Sequence, residues 1–209
     1  LNQLLLNKGF SKELLLQLGL INQNNGYIND VFQRRVMFPI HDLEGNVVGF
    51  TGRIYEDSGQ AKYINSKESN IFKKGQILFN YHRATKEIKR KKEVILVEGN
   101  MDAIRMYASG IKNVLALMGT SLTKEQVSIL KGLRANIILM FDNDSAGETA
   151  TYQNGTILEE AGLDFKVVRL SGEKDPDEYI IKHGVKALEE NIRSPITFLD
   201  FKLKYFRKD

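Results

Sequence analysis

Val94-Ile95-Leu96-Val97-Glu98-Gly99-Asn100-Met101-Asp102 is the stretch on which the reading of this chain turns. An unbroken apolar run of this kind reads as a buried strand. It ends abruptly in a glutamate and a glycine, and a helical pattern follows over Met101 to Ala108. The same grammar returns further along. Ile137–Phe141 runs directly into Asp142-Asn143-Asp144-Ser145-Ala146-Gly147, then helical spacing continues from Ala146 to Ala161, with Gly162 as its stop. Between the two lie a strand pattern at Val114–Leu117 and a helix pattern at Lys124–Leu133 with Thr123 as N-cap; Phe165–Leu170 gives a fourth strand beyond them. This alternation of strand and helix predicts an α/β fold, a Rossmann-like parallel sheet flanked by helices.

In an open parallel sheet, ligands bind outside the carboxyl ends of the strands. Glu98 ends the first strand, and Asp142 and Asp144 end the third. Alternation puts those two aspartates on one side of an extended segment. Asp102 lies one helical turn after Glu98, and Asp175-Pro176-Asp177 follows the fourth strand from the same rim. An all-oxygen set of this type suits Mg²⁺ or Mn²⁺, and points to phosphoryl-transfer chemistry. Taken singly, Asp144 reads as a helix N-cap, and Asp175 and Asp177 as a cap before the helix containing Tyr179 and Ile180. Taken together, carboxylates on one rim repel one another unless a cation lies between them. Gly99, Gly119 and Gly147 occupy strand-to-helix turns. Gly119-Thr120-Ser121 adds small hydroxyl residues, with Ser121 and Thr123 read as caps.

The preceding residues read differently. Residues 1–22 have helical leucine spacing (Leu4, Leu5, Leu14, Leu15, Leu18, then Ile21), with Ser11 as an N-cap and a polar turn over Asn22–Gly26. Val36–Ile40 predicts a strand that Pro39 restricts to an edge or a bulge. Asp42–Asn46 is a turn, and Val47–Tyr55 the returning strand of a hairpin. Gly49 and Gly52 imply close approach or a bulge. A turn at Asp57–Gln60 leads to Lys62–Ser66, and Tyr81–Lys89 predicts a helix. The expected division is a basic α+β subdomain over 1–91, an acidic parallel-sheet subdomain over 92–177 and a helical segment over 178–209. The net charge is +4, with basic residues frequent between Arg34 and Arg90. That suits a polyanionic partner, or simply an uneven solvated surface.

The 209 residues suffice for one large domain or two small ones with a real core. With no cysteine, disulfides and cysteine-based zinc sites are excluded, and His41, His82 and His183 are too far apart to suggest a metal cluster. No apolar run is long enough to span a bilayer and no signal-peptide pattern is present, so the expected location is the cytoplasm. The start at Leu1 and the charged end at Asp209 read as those of a piece of a longer protein.

The region around residues 92–177 resembles the Toprim module shared by primases, topoisomerases and some nucleases, on Val97-Glu98-Gly99 and the pair Asp142 and Asp144. The flanking motifs narrow the resemblance. Arg35-Val36-Met37-Phe38-Pro39-Ile40, Gly49-Phe50-Thr51-Gly52-Arg53, Lys62-Tyr63-Ile64-Asn65-Ser66, Phe72-Lys73-Lys74-Gly75, Leu117-Met118-Gly119-Thr120-Ser121 and Lys174-Asp175-Pro176-Asp177 are similar to those of the bacterial replicative primases of the DnaG type, in family order. The family shows Tyr at Asn100 and Gly at Asn143, and Asn143 is expected to take the left-handed backbone a glycine would adopt.

The resemblance implies a catalytic core that makes RNA primers on a single-stranded DNA template from ribonucleoside triphosphates, releasing pyrophosphate. It implies Glu98, Asp142 and Asp144 as catalytic metal ligands, with Asp102, Asp175 and Asp177 completing the cluster around two or more Mg²⁺ or Mn²⁺ ions. Arg35, Arg53, Lys62, Tyr63, Asn65 and Lys74 would contact template, primer or triphosphate, although Tyr63 also reads as a buried strand aromatic. Zinc would belong to a module outside these residues. Replicative helicase and single-strand-binding protein would be met through segments mostly outside them too. A monomer at the replication fork, associated with the nucleoid, is expected. A Toprim nuclease using the same carboxylates on water is the alternative, and a non-catalytic nucleic-acid-binding module a third.

Overall fold

In the computed structural model, which describes residues 1–56, 59–119 and 121–207, the chain divides into two compact units, Leu1–Lys74 and Gly75–Asp209. The first begins with two short helices, Asn2–Asn7 (α1) and Lys12–Gln17 (α2). Ser11 caps α2 as expected: the Leu14 amide donates to its Oγ at 3.2 Å. The helical reading to residue 22 runs too far. Ile21–Asn24 (β1) pairs antiparallel with Tyr27–Asp30 (β2), in register Ile21 to Asp30 and Asn24 to Tyr27. The turn between them is Asn25-Gly26, both at positive φ (50° and 83°), the Asn-Gly chemistry that closes a two-residue hairpin. Leucine spacing masked that local signal.

Arg35–His41 (β3), Val47–Ile54 (β4) and Tyr63–Asn65 (β5) form an antiparallel sheet in that order. Pro39 lies on the edge strand, as a strand proline requires, and the register shifts just beyond it, between Ile40 and His41. In the β3–β4 turn the Asp42 carboxylate accepts from the amides of Glu44 (3.1 Å) and Asn46 (2.8 Å). The close approach expected of Gly52 is present: a Cβ there would lie 2.9 Å from the Phe32 ring and 3.0 Å from the Arg35 side chain. Of the turn expected at Asp57–Gln60, Asp57 and Ser58 lie outside the described residues.

The second unit contains Tyr81–Lys91 (α3), Glu93–Val97 (β6), Asn100–Ala108 (α4), Val114–Ala116 (β7), Lys124–Leu133 (α5), Asn136–Leu139 (β8), Ser145–Glu160 (α6), Phe165–Val167 (β9), Pro176–Arg193 (α7) and Phe198–Phe206 (α8). Helix α3 buries Ala84 and Ile88 in the same core as Val94 and Leu96, so this unit begins ahead of the division expected after residue 91. The four strands are parallel, in the order β7-β6-β8-β9. Both faces are covered. Val94, Leu96, Ile137 and Leu139 point into one core, with α5 residues Val127 and Leu130 and α8 residues Phe198 and Phe201. Ile95, Val97 and Ile138 point into the other, with Ala103 and Met106 of α4 and Leu188 of α7. Double-sided burial explains why these strands read as continuous apolar runs.

Helix α5 opens with a capping box, Thr123 and Gln126 each bonding the other's backbone amide. Ser121, also read as a cap, is not the N-cap. Helix α7 changes direction at Gly184 (φ 81°, ψ 164°). Among the described residues no helix is long and apolar enough to cross a membrane.

Candidate active site

From β6 the chain crosses to β7 on one side and later returns to β8 on the other, so the strand order reverses between β6 and β8. At such a switch point the loops part and leave a crevice beyond the strand ends. Glu98 stands just past the end of β6 and Asp142 just past β8. They meet there: the Asp142 amide donates to Glu98 Oε1 at 3.1 Å. A cleft of about 220 Å³ opens beside them, lined by Glu98, Leu117, Gly119, Ser121, Phe141 and Asn154. Thr120, expected beside the site, lies outside the described residues.

The helix after β8 begins unusually close to the strand end. A Cβ on Gly147 would lie 2.1 Å from the Asp142 carbonyl oxygen, so only glycine fits at this position in the first turn of α6. Asp144 caps that helix, accepting from the Gly147 amide at 2.8 Å, and its carboxylate lies 3.4 Å from Lys174 Nζ. Asp175 likewise caps α7 through the Glu178 amide at 2.8 Å. Asp177 is held by Arg105 at 2.5 Å, and its amide donates to Asp102 Oδ1 at 3.3 Å. The capping readings of Asp144 and Asp175 therefore hold.

The electrostatics bind these groups into one field. Burial pushes the Asp142 carboxyl up to about 7, helped by the charges of Glu98, Asp175 and Asp144 and opposed by Lys174. Asp102, only 7% exposed, is also pushed up to about 7, by burial first and then by Asp175 and Asp142. Burial raises Glu98 too, against the hydrogen bond from the Asp142 amide, with the charge of Asp144 adding to the rise. Asp144 goes the other way, held low by the Gly147 amide and then by Lys174.

Among the described residues no three carboxylate or histidine side chains come together as a complete protein cage. The donor set still fits a hard divalent cation. Mg²⁺ is commonly held by one or two carboxylates, its other positions going to water and substrate phosphates. Glu98 and Asp142 supply that share, and a cation would offset the burial and the neighbouring negative charge that lift their carboxyl groups.

Lys174 and Arg169 carry no role in the sequence reading, yet both touch the Asp142–Asp144 loop. Asn143 does not adopt the left-handed backbone expected of it. Its amide donates to the Lys174 carbonyl at 2.6 Å and its Oδ1 accepts from Arg169 Nη2 at 2.7 Å, so its side chain has a use that glycine could not serve. A lone arginine after a strand gives no sequence signal for such a contact.

The basic candidates lie in the first unit. Arg53 and Tyr63 are cross-strand partners on β4 and β5, with the guanidinium 5.7 Å from the ring centre. Asn65 shares their face by alternation. Tyr63 is 36% exposed, which overturns its reading as a buried aromatic. Arg35 is on the opposite face, and its Nη1 donates to the carbonyls of Gly52 (3.1 Å) and Lys62 (3.3 Å). Lys62 is exposed just ahead of β5, and Lys74 lies in a 3₁₀ turn, its amide bonded to Glu68 at 3.0 Å.

A parallel sheet ordered β7-β6-β8-β9, with a glutamate after its first strand in sequence and a D-x-D after its third, defines a Toprim module. Residues 95–180 match the family described as Toprim-like. Residues 1–85 match the DNA primase catalytic core, N-terminal domain, and the chain belongs to the DnaG-type DNA primase catalytic-core family. It is 40% identical over 196 residues to the DNA primase of Clostridium acetobutylicum, covering 94% of this chain and 33% of that protein. To a Staphylococcus aureus DNA primase it is 41% identical over 189 residues, 90% of this chain and 31% of that one. The chain thus spans about a third of the length of the curated relatives it matches. Among solved structures, a DnaG primase catalytic domain bound to single-stranded DNA aligns with a TM-score of 0.85 at 31% identity, covering 97% of this chain and 67% of that one. The Aquifex aeolicus primase (zinc-binding and RNA polymerase domains) aligns at 0.81 and 38% identity, covering 88% and 46%.

Proposed function

We propose that this chain carries the catalytic site of a primase, which joins ribonucleotides into a primer on single-stranded DNA and releases pyrophosphate. The observation that carries the reading is the meeting of Glu98 and Asp142, two half-buried carboxylates, at the sheet's switch point. Glu98, Asp142 and Asp144 would hold the cation, with Asp102, Asp175 and Asp177 completing the negative field. A bound Mg²⁺ or Mn²⁺ supplies activation of the primer 3′-hydroxyl and neutralisation of phosphate charge. The chain's own part is positioning: Glu98 is fixed by the Asp142 amide, and Asp144 by the first turn of α6. Lys174, beside Asp144, offers the nearby positive charge that a triphosphate needs.

Template contact is proposed for the β4–β5 face. Arg53 would neutralise a phosphate and exposed Tyr63 would stack on a base, with Lys62 and Asn65 beside them. Arg35, engaged with two backbone carbonyls, would chiefly shape that sheet. The test is a single-stranded template carrying a short RNA primer, with labelled ribonucleotides and Mg²⁺ or Mn²⁺. Extension that disappears in Glu98→Gln and in Asp142→Asn supports the reading. Primer or template shortened without extension, and spared in both variants, would make the site a nuclease instead.

A further inference from the structure

We infer that Arg169 is a positioning residue for the loop that carries Asp142 and Asp144, acting through the side chain between them. This deepens the proposed function and rests on its reading of those aspartates as metal ligands.

Arg169 lies two residues past β9, the strand next to β8. Its Nη2 donates to Asn143 Oδ1 at 2.7 Å and also forms an ion pair with Glu148. Glu148 is 6% exposed and sits in the first turn of α6, the helix that Asp144 caps. The guanidinium carbon lies 5.8 Å from the ring centre of Phe201, which is 1% exposed and covers the group from α8. The loop is therefore held from two directions. The Gly147 amide fixes Asp144 along the helix axis, and Arg169 fixes Asn143 from the side of β9. The Asn143 amide, bonded to the Lys174 carbonyl at 2.6 Å, completes the hold.

Chemistry says why an arginine serves here. One planar guanidinium can bond a carboxylate and an amide oxygen at once in fixed directions, which an ammonium on a flexible stem does poorly. A shielded ion pair is costly compared with apolar packing. A contact meant only to join β9 to α6 would not need one. What the pair adds is an oriented donor aimed at the residue between the two aspartates. Partners of this sort, one layer out from a metal, commonly change its affinity by about 10- to 100-fold.

The test uses the 209-residue chain, titrated with Mn²⁺ by calorimetry, together with hydrogen exchange of the Asp142 and Asn143 amides without metal. Asn143→Ala removes the acceptor and leaves the Arg169–Glu148 pair in place, so the fold is retained; Asn143→Asp keeps an oxygen for Arg169. The expected result is Mn²⁺ binding weakened about 10-fold in Asn143→Ala, with faster exchange at both amides and a melting temperature close to that of the unaltered chain. Asn143→Asp should keep slow exchange. Unchanged Mn²⁺ affinity or unchanged exchange in Asn143→Ala overturns the positioning role, as does equal loosening in Asn143→Asp. If the unaltered chain binds no Mn²⁺ that Asp142→Asn abolishes, the metal-ligand reading fails first, and the positioning role falls with it.

Discussion

The two units present charge on frameworks of opposite construction. In Gly75–Asp209 the acidic groups stand at the ends of parallel strands buried on both faces, where low polarisability and mutual repulsion lift Asp102 and Asp142 to about 7. In Leu1–Lys74 the basic and aromatic candidates ride on a three-stranded antiparallel sheet, with Tyr63, Lys62 and Asn65 in contact with solvent. The first arrangement builds a strong local field for chemistry, because burial amplifies charge. The second builds a wettable face suited to a long polyanion, where affinity comes from many weak, salt-screened contacts.

The sharpest break between the units should be kinetic. Asp142→Asn or Glu98→Gln should cut primer extension by about 10³-fold or more while leaving template affinity nearly unchanged. Single-turnover extension beside a fluorescence anisotropy titration would check both halves; a parallel loss of template binding would erase the distinction.

The next largest effect is expected at the glycines. Gly147→Ala meets backbone at 2.1 Å and should cost about 3 kcal/mol, displacing Asp142 with it. Gly52→Ala in the first unit meets only side chains and should cost about 1 kcal/mol. Urea unfolding of both variants gives the comparison.

Tyr63→Ala should then weaken single-stranded DNA binding by about 1–3 kcal/mol with little change in salt dependence. Arg53→Ala should instead flatten the plot of log affinity against log salt by about 0.7. If Tyr63→Ala alters the salt slope and Arg53→Ala does not, the stacking and phosphate roles are wrongly assigned.

The smallest effect concerns pH. Folded, Asp102 and Asp142 keep their protons to about pH 7, against 3.8 for an ordinary aspartate, so between those values the folded chain binds more protons than the unfolded one. Stability from these two groups is therefore highest at acid pH and is lost as pH rises through 7. Without metal, Asp102→Asn should gain about 1 kcal/mol at pH 8 and nothing at pH 4. Mg²⁺ should offset the loss in the unaltered chain by binding the folded state. Thermal melts at the two pH values, with and without Mg²⁺, test the sign.

Local signals explain what was legible. The β6-to-α6 succession, the Thr123 cap, the edge position of Pro39 and the placing of Glu98 and Asp142 at strand ends all follow from periodicity, capping chemistry and the handedness of parallel connections. The β1–β2 hairpin was hidden because its strands are short and polar, leaving Asn25-Gly26 as the only cue. The exposure of Tyr63 was hidden because one strand's alternation does not say which face is covered.

By itself, then, the sequence determined the strand-and-helix order, the all-oxygen character of the acidic set and the residues carrying the family motifs, since each is written in spacing and side-chain chemistry. Only the tertiary structure decided the strand order that sets β6 beside β8, the burial that lifts Asp102 and Asp142, and the hold of Arg169 on Asn143. The physical reason is range. Caps and periodicities act within a few residues, whereas desolvation and a hydrogen bond across 26 positions exist only once distant segments have packed.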